Sequence, residues 1–340
     1  MPGLSNGVSA VRIQKSYSSF FEPEGIEEID YDLCGHIGQI GASFDESGMD
    51  LDEICSLTMK EKHRFDSRFS VTDQQLGSGT FGKVYLGADK SGGGKVAIKK
   101  IKKREIFDFT VNERGKVVPM EIEILGKIKG LDGFVQIIDS FEMGDEFWLV
   151  TEFFEKSLDL NSFIKCQQGL SEKQALFIFR KVCKCVLRLF NRKIIHRDIK
   201  PENIIITPEA TIKLIDFGSA THIDRALENL VATTLYLPPE FLREEIYKPE
   251  AVAVWSLGLV LAGLLTGKNV FAKHISPYAV SYEEALEALV MKSVRSVIKN
   301  ITPTFSTQVK DLLSKCLDED PDERITLRDI LKHKCFNVLN

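Results

Sequence analysis

The sequence lacks the features of a secreted or membrane-spanning protein. It opens with no signal peptide, and it has no uninterrupted apolar run of the roughly 18 residues that a bilayer span needs. The longest apolar region, residues 251–265, is interrupted by serine and glycine and is better interpreted as a buried helix. The seven cysteines are scattered, without the paired spacings of a zinc site or a disulfide framework. We therefore expect free thiols in a cytoplasmic protein that does not act at a membrane.

The sequence also lacks a basic field that could hold a nucleic acid. Its net charge is −5, and residues 1–66 contain 13 Asp and Glu against 5 Lys and Arg, a net of −8. The remaining residues carry 36 acidic and 39 basic side chains and are nearly neutral. We expect no nucleic-acid partner and a monomer. Residues 1–66 are interpreted as an acidic, mostly disordered extension, of which a stretch could dock on the body.

The rest of the chain divides into a strand-rich part and a helix-rich part, an α+β organisation. Residues 67–152 predict a small antiparallel lobe with one main helix, and residues 153–340 predict a larger, mostly helical lobe. The predicted strands are residues 69–76, 83–88, 95–101, 134–141 and 147–152, and the helix between them is residues 119–128.

One stretch, residues 194–206, contains the densest set of candidate catalytic residues. Apolar residues at both of its ends predict two short buried strands that flank a polar loop. The loop has the residue types that phosphoryl transfer needs. Asp198 can orient an attacking hydroxyl, Lys200 can neutralise charge near the γ-phosphate, and Asn203 can supply an oxygen ligand to a metal ion.

A glycine-rich motif lies between the first two predicted strands. Glycine lets the backbone approach phosphate groups closely, because no Cβ stands in the way. The same G-x-G-x-x-G pattern occurs in dinucleotide-binding oxidoreductases, but there a helix follows it, whereas here a strand follows. We therefore predict a flap over nucleotide phosphates, formed by Leu76, Gly77, Ser78, Gly79, Thr80, Phe81, Gly82, Lys83 and Val84.

The third predicted strand carries a second phosphate-binding candidate, Lys99. Its partner should be a glutamate on the helix that follows, and Glu121 is preferred to Glu123. The two positions are two residues apart and therefore point about 200° apart around a helix. The basic run at residues 99–104 also allows a nuclear-import signal, although a solvated strand end is the simpler interpretation.

Asp216 follows the apolar strand at residues 213–215 and is predicted to bind Mg²⁺. Together with Asn203 it would form the metal site.

These motifs resemble, over about residues 68–338, the eukaryotic protein kinases. The resemblance implies that Glu240 has a buried cationic partner, and Arg324 stands where kinases usually carry it. Lys200 and Thr233 indicate the serine/threonine type. Local features are most similar to the PIM family: Val117–Glu121, Tyr236–Glu240 with proline in place of alanine, and Ala253 in place of an aspartate that props the catalytic loop from below. Phe154 stands where PIM kinases have a hinge proline, and Ala232 replaces a glycine, so the chain is described as PIM-like.

The resemblance implies a bilobal protein-kinase fold that uses ATP and Mg²⁺. Adenine and ribose would be held by Ala97, by Thr151 as gatekeeper, by the Glu152 carbonyl, by the Phe154 N–H and by Asp159. A pseudokinase that serves as a nucleotide-binding scaffold is the alternative. It is opposed by the presence of all five central residues, namely Lys99, Glu121, Asp198, Asn203 and Asp216.

The resemblance also implies a substrate preference and a mode of regulation. Asp159 and Glu202 would select protein substrates with basic residues before the Ser or Thr, above all arginine at −3. The enzyme would be active without phosphorylation of its activation segment, because Asp224 or Glu228 could pair with Arg197 in place of a phosphate. The candidate phosphorylation sites are Thr221, Thr233 and Thr234.

Overall fold

In the computed structural model of the protein, the described residues are 51–79, 82–225, 236, 238–244, 248–267 and 305–339. They divide into two compact units. The sheet unit comprises residues 51–107 and Ile137–Phe153, and the helical unit comprises Asp108–Gln136 and the described residues from Phe154 onward.

The sheet unit is built on one five-stranded antiparallel sheet, as predicted. Its strands are β1 (Phe69–Gly79), β2 (Gly82–Asp89), β3 (Lys95–Lys102), β6 (Ile137–Met143) and β7 (Glu146–Glu152), and they lie in the order β1-β2-β3-β7-β6. The β2–β3 connection is tight because Asp89 accepts hydrogen bonds from the N–H and hydroxyl of Ser91, and Gly93 supplies a positive φ of 68°.

A helix precedes this sheet at the end of the predicted extension. The sequence analysis interpreted residues 1–66 as mostly disordered with a stretch that could dock on the body, and the structure shows such a stretch as α1 (Leu51–Arg68). Phe65 anchors the helix because its ring lies 5.7 Å from Phe69, 5.2 Å from Phe141 and 4.9 Å from Trp148. Buried Phe65 belongs to the same hydrophobic cluster as Phe69 and Phe141. The end of the predicted extension is therefore part of the sheet unit.

The predicted helix at residues 119–128 is present as α2 (Met120–Lys127), but it belongs to the helical unit. It follows a short hairpin of β4 (Phe109–Val111) and β5 (Val117–Pro119) that the sequence interpretation missed. Asn112 shapes the hairpin turn, since its side-chain oxygen accepts from the N–H groups of Arg114 and Lys116.

The helical unit contains one long, largely buried helix, α6 (Pro249–Thr266), which starts with proline and ends at Gly267 in the left-handed conformation. By length and composition α6 could cross a membrane, but 78% of it is buried inside the protein, as in the core of a folded domain. The others are α3 (Leu160–Gln167), α4 (Glu172–Phe190), α5 (Pro239–Glu244), α7 (Thr307–Cys316) and α8 (Leu327–Lys332).

Short strands in the helical unit carry the polar loops. They are β8 (Leu158–Asp159), β9 (Ile194–Ile195), β10 (Ile204–Ile206), β11 (Ile212–Leu214) and β12 (Thr221–His222). β10 pairs with β8 and β11, and β9 pairs with β12. These pairings set the positions of the candidate site residues.

Candidate active site

The catalytic loop, residues 196–203, lies between β9 and β10, and two pairings fix both of its ends. β12 pairs with β9 at its start, and β11 pairs with β10 at its end. The N–H of Ile215 donates to the carbonyl of Asn203 at 2.9 Å. This bond places Asp216, the next residue, beside the end of the loop.

Asp198 is held by two neighbours within the loop. Nδ2 of Asn203 donates to Oδ2 of Asp198 at 2.8 Å and to its carbonyl at 2.9 Å, and Nζ of Lys200 lies 2.8 Å from Oδ2. Asp198 is buried. These two donors fix the direction of the Asp198 carboxylate, as a group that orients a hydroxyl requires.

The predicted metal ligands suit Mg²⁺. Both Asn203 hydrogen bonds to Asp198 use Nδ2, so Oδ1 is the atom that can bind a cation. The described residues contain no cluster of three or more His, Cys, Asp or Glu that could hold a metal alone. Mg²⁺ commonly takes one or two protein oxygens and completes its shell with phosphate and water. Asn203 and Asp216 fit that pattern.

Buried rings stabilise the backbone around Asp216, which has a φ of 56°. Phe217, the next residue, is fully buried, with its ring centroid 4.9 Å from that of His196 and 6.3 Å from that of Phe134. His196 also contacts the carbonyl of Ile215 through Nε2 at 3.0 Å, and burial lowers the pKa of its ring. These contacts fix the left-handed conformation of Asp216.

Polar contacts connect α2 and the segment before it to the start of the activation segment, residues 216–240. Nε2 of His222 lies 3.2 Å from Glu123, whose other oxygen pairs with Lys127 at 2.5 Å. Arg225 pairs with Asp108 at 2.9 Å. Glu123 therefore contacts Lys127 and His222, and Glu121 is buried on the same helix.

The sequence interpretation missed Asp108 and His222. Nε of Arg197 donates to the carbonyl of Ser219, and Asp224, one of its two predicted acidic partners, is exposed. The other, Glu228, lies outside the described residues, so the pairing of Arg197 with an acidic residue of this segment stays a prediction. Thr221 is fully buried and bonded to Asp108, so it is a poor phosphorylation site.

Glu202 has an unusual environment beside the loop. Its Oε2 is buried and accepts no hydrogen bond from the described residues. Burial raises the pKa of the Glu202 carboxyl, and nearby Asp159 and Asp198 raise it further, against the lowering effect of Lys200. Such a carboxylate is stabilised by any cation that reaches it.

Asp159, the other residue predicted to bind the substrate, also caps the helix that follows it. It is the N-cap of α3, with one oxygen accepting from the N–H of Ser162 at 2.8 Å and the other from its hydroxyl at 2.6 Å. A carboxylate oxygen can accept a further bond, so Asp159 remains available to a ligand.

The sheet unit carries the glycine-rich motif on β1 and β2. A Cβ at Gly82 would lie 2.1 Å from the carbonyl oxygen of Lys100, and its φ is 112°, so the fold itself requires glycine there. A Cβ at Gly77 would meet nothing within 4 Å, so the protein alone does not require glycine there. Open space beside Gly77 is expected if this glycine faces a bound ligand and not the protein interior.

Other predicted nucleotide residues also lie in the sheet unit. Ala97 and Lys99 are on β3, and Thr151 lies opposite Ala97 on β7, which ends at Glu152. Phe154 begins the helical unit, where its ring lies 5.5 Å from Nζ of Lys213. The predicted pairing of Lys99 with Glu121 would join the two units and stays a prediction.

One further prediction is confirmed within the helical unit. Arg324 binds both oxygens of Glu240, at 2.5 and 2.6 Å, and both side chains are buried. Several predicted positions lie outside the described residues: Thr80, Phe81, Glu228, Ala232, Thr233 and Thr234.

Comparison with known proteins agrees with this geometry. The family model for the protein kinase domain matches residues 70–336. The chain is 33% identical over 296 residues to the serine/threonine-protein kinase pim-2 of Danio rerio, covering 83% of this chain and 89% of the relative. It is also 33% identical over 261 residues to the serine/threonine-protein kinase prk-2 of Caenorhabditis elegans, covering 76% of this chain.

A third relative shows that the similarity extends beyond these two proteins. The PAS domain-containing serine/threonine-protein kinase of Mus musculus is 35% identical over 274 residues, covering 79% of this chain. The chain spans 56% of the length of the worm kinase and 18% of that of the mouse kinase. With a family model over most of its length and relatives of this kind, the chain belongs to the protein kinase family, in its serine/threonine division.

Proposed function

We propose that the protein is a PIM-like serine/threonine kinase that transfers the γ-phosphate of ATP, with Mg²⁺, to protein hydroxyls. We further propose that it selects arginine before the acceptor and needs no phosphorylation of its activation segment. The observation that carries the proposal is the arrangement of Asp198, Asn203 and Lys200 beside Asp216. We also propose a cytoplasmic monomer, with the basic run at residues 99–104 as a possible route to the nucleus.

Asp198 would accept a hydrogen bond from the substrate hydroxyl and direct its oxygen toward the phosphorus. Lys200, already 2.8 Å from Asp198, would neutralise negative charge on the transferred group. Asn203 and Asp216 would hold Mg²⁺, which when bound offsets the charge on the phosphates. Lys99 and the flap containing Gly77 would hold the remaining phosphates.

The preference for arginine is supported by Glu202. A buried carboxylate oxygen without a protein donor gains most from a guanidinium, which can donate two parallel hydrogen bonds. The acidic side chain of Asp159 lies close enough to raise the pKa of Glu202, so an incoming cation would meet two carboxylates.

This preference can be tested with two peptides that differ only by Arg or Ala at −3. The wild-type enzyme should show a several-fold higher kcat/KM for the Arg peptide, and Glu202→Gln should remove most of that difference. Glu209→Gln, at an exposed position, serves as the control. Equal rates for the two peptides on wild type would refute basic selection, and an unchanged preference in Glu202→Gln would assign the arginine site to other residues.

Independence from phosphorylation is supported by the contact of Glu123 with His222 and by the ion pair of Asp108 with Arg225. In many kinases a phosphate supplies the charge that orders this segment. Here Asp108 and Glu123 already supply negative charge from the α2 side. Phosphatase-treated enzyme, shown by mass spectrometry to be unphosphorylated, should keep its activity. Loss of activity that returns on rephosphorylation would contradict the proposal.

A further inference from the structure

A small cavity lies beneath the catalytic loop, where the loop meets the end of α4 and the first half of α6. Its volume is about 20 Å³, which is enough for one water molecule. The loop contributes His196, Arg197 and Ile199 to its wall, and α6 contributes Ala253 and Ser256. The small side chain of Ala253 leaves this space open.

His196 provides an acceptor that lacks a donor. Its Nε2 lies 3.0 Å from the carbonyl oxygen of Ile215. A carbonyl can only accept, so Nε2 carries the proton and Nδ1 of the neutral ring is an acceptor. Nδ1 is buried and has no hydrogen-bond partner among the described residues. An acceptor in this position is stabilised by any small molecule that can donate to it.

Ser256 provides a second polar group on the cavity wall. Its hydroxyl donates to the carbonyl of Val252 at 3.2 Å, which leaves the oxygen lone pairs able to accept. A cavity with purely apolar walls stays dry, but one with two or more polar partners holds water. One water could donate to Nδ1 of His196 with one hydrogen and to Oγ of Ser256 with the other.

We propose that this cavity is a hydration site whose water ties the catalytic loop to α6, with Ser256 as a positioning residue for Asp198. His196 lies two residues before Asp198, and its other nitrogen contacts the residue before Asp216. Arg197, between His196 and Asp198, has a φ of 64°, a conformation that the surrounding structure must stabilise. The cavity and its water do not depend on the proposed function, and only their effect on turnover rests on it.

The first test is a crystal structure of the full chain at a resolution that shows ordered water. We expect one density peak within hydrogen-bond distance, about 2.6–3.2 Å, of both Nδ1 of His196 and Oγ of Ser256. An empty cavity, or a water that contacts neither atom, would overturn the proposal. This result does not depend on whether the protein phosphorylates anything.

The second test separates positioning from stability. Ser256→Ala should lower kcat about 3- to 10-fold, the range expected for one lost hydrogen bond, with the KM for ATP unchanged. The matched control is Thr266→Val, because Thr266 makes the same hydroxyl-to-carbonyl bond on α6 but does not line the cavity. The control should keep wild-type kcat.

A rescue variant completes the test. Ala253→Ser in the Ser256→Ala background returns a hydroxyl to the cavity wall from the preceding turn of α6. It should restore kcat at least in part and restore the water peak. Equal losses in Ser256→Ala and Thr266→Val, or a rescue variant no faster than Ser256→Ala, would mean that the hydroxyl acts only within its own helix.

Discussion

Replacing Phe65 by alanine should detach α1 from the sheet unit. The Phe65 side chain is 1% exposed and touches three aromatic rings, those of Phe69, Phe141 and Trp148. Truncating a buried phenylalanine to alanine typically costs about 3–5 kcal/mol. Since whole domains are stable by only about 5–15 kcal/mol, this one change removes a large share of the total.

The neighbouring arginine is expected to matter less. Arg64 binds both oxygens of Asp139, at 3.0 and 3.1 Å, and its guanidinium lies 3.9 Å from the centre of the Phe141 ring. Its side chain is 46% exposed, however, and exposed ion pairs contribute about 0–1 kcal/mol. Arg64→Ala should therefore destabilise the protein by a fraction of the Phe65→Ala effect.

The assay is urea unfolding followed by tryptophan fluorescence, because the Trp148 ring lies 4.9 Å from Phe65. Met59→Ala is the matched control, since Met59 is on the same helix but 66% exposed. Phe65→Ala should lower the unfolding midpoint clearly, and Met59→Ala should leave it within error. If the two variants unfold at the same urea concentration, α1 does not stabilise the sheet unit and our account of the helix is wrong.

Three further predictions follow from single positions. Gly77→Ala should keep the wild-type melting temperature and raise the KM for ATP, whereas Gly82→Ala should lower the melting temperature. The reason is that the fold requires glycine at Gly82 but not at Gly77. Thermal melts and steady-state kinetics will distinguish the two variants. Glu240→Gln should destabilise the protein by about 3–5 kcal/mol, since it leaves a buried arginine without its counter-charge, as chemical denaturation will measure. Among the described thiols, exposed Cys166 should be alkylated first at pH 8. Burial raises the pKa of the Cys185 thiol to about 11, so only about one Cys185 side chain in a thousand is a thiolate at that pH. Mass spectrometry of labelled peptides will give the order of alkylation.

The catalytic loop could be predicted from sequence because its chemistry is local. Asp198, Lys200 and Asn203 lie within six consecutive residues, and their spacing alone brings them within hydrogen-bond distance. The choice of Glu121 over Glu123 also depended on local geometry, namely the rotation between two positions on one helix. The structure shows Glu123 in contact with Lys127 and His222, and the pairing of Glu121 with Lys99 stays a prediction.

The parts that the sequence did not indicate depend on distant contacts. Helix α1 is mostly polar, and its attachment depends on Phe65 meeting Phe141 and Trp148, which are more than 70 residues away. Likewise, Asp108 binds Arg225, which is 117 residues away in the sequence, and no local sequence pattern predicts that pair. The missed hairpin left a local signal, because Asn112 and Gly115 form a turn between two short apolar strands.

The most direct test of the central claim is phosphoryl transfer by the Asp198→Asn variant. Asparagine keeps the shape of Asp198 beside Asn203 and Lys200 but removes the negative charge that orients the substrate hydroxyl. With ATP, Mg²⁺ and a serine peptide carrying arginine at −3, we predict that kcat falls at least about 100-fold. The melting temperature and ATP affinity should stay at wild-type values, and Glu209→Gln should retain full activity. Wild-type turnover by Asp198→Asn would contradict the assignment of Asp198 as the residue that orients the substrate hydroxyl. If the wild-type protein binds ATP but transfers no phosphate to any peptide, the protein is a pseudokinase.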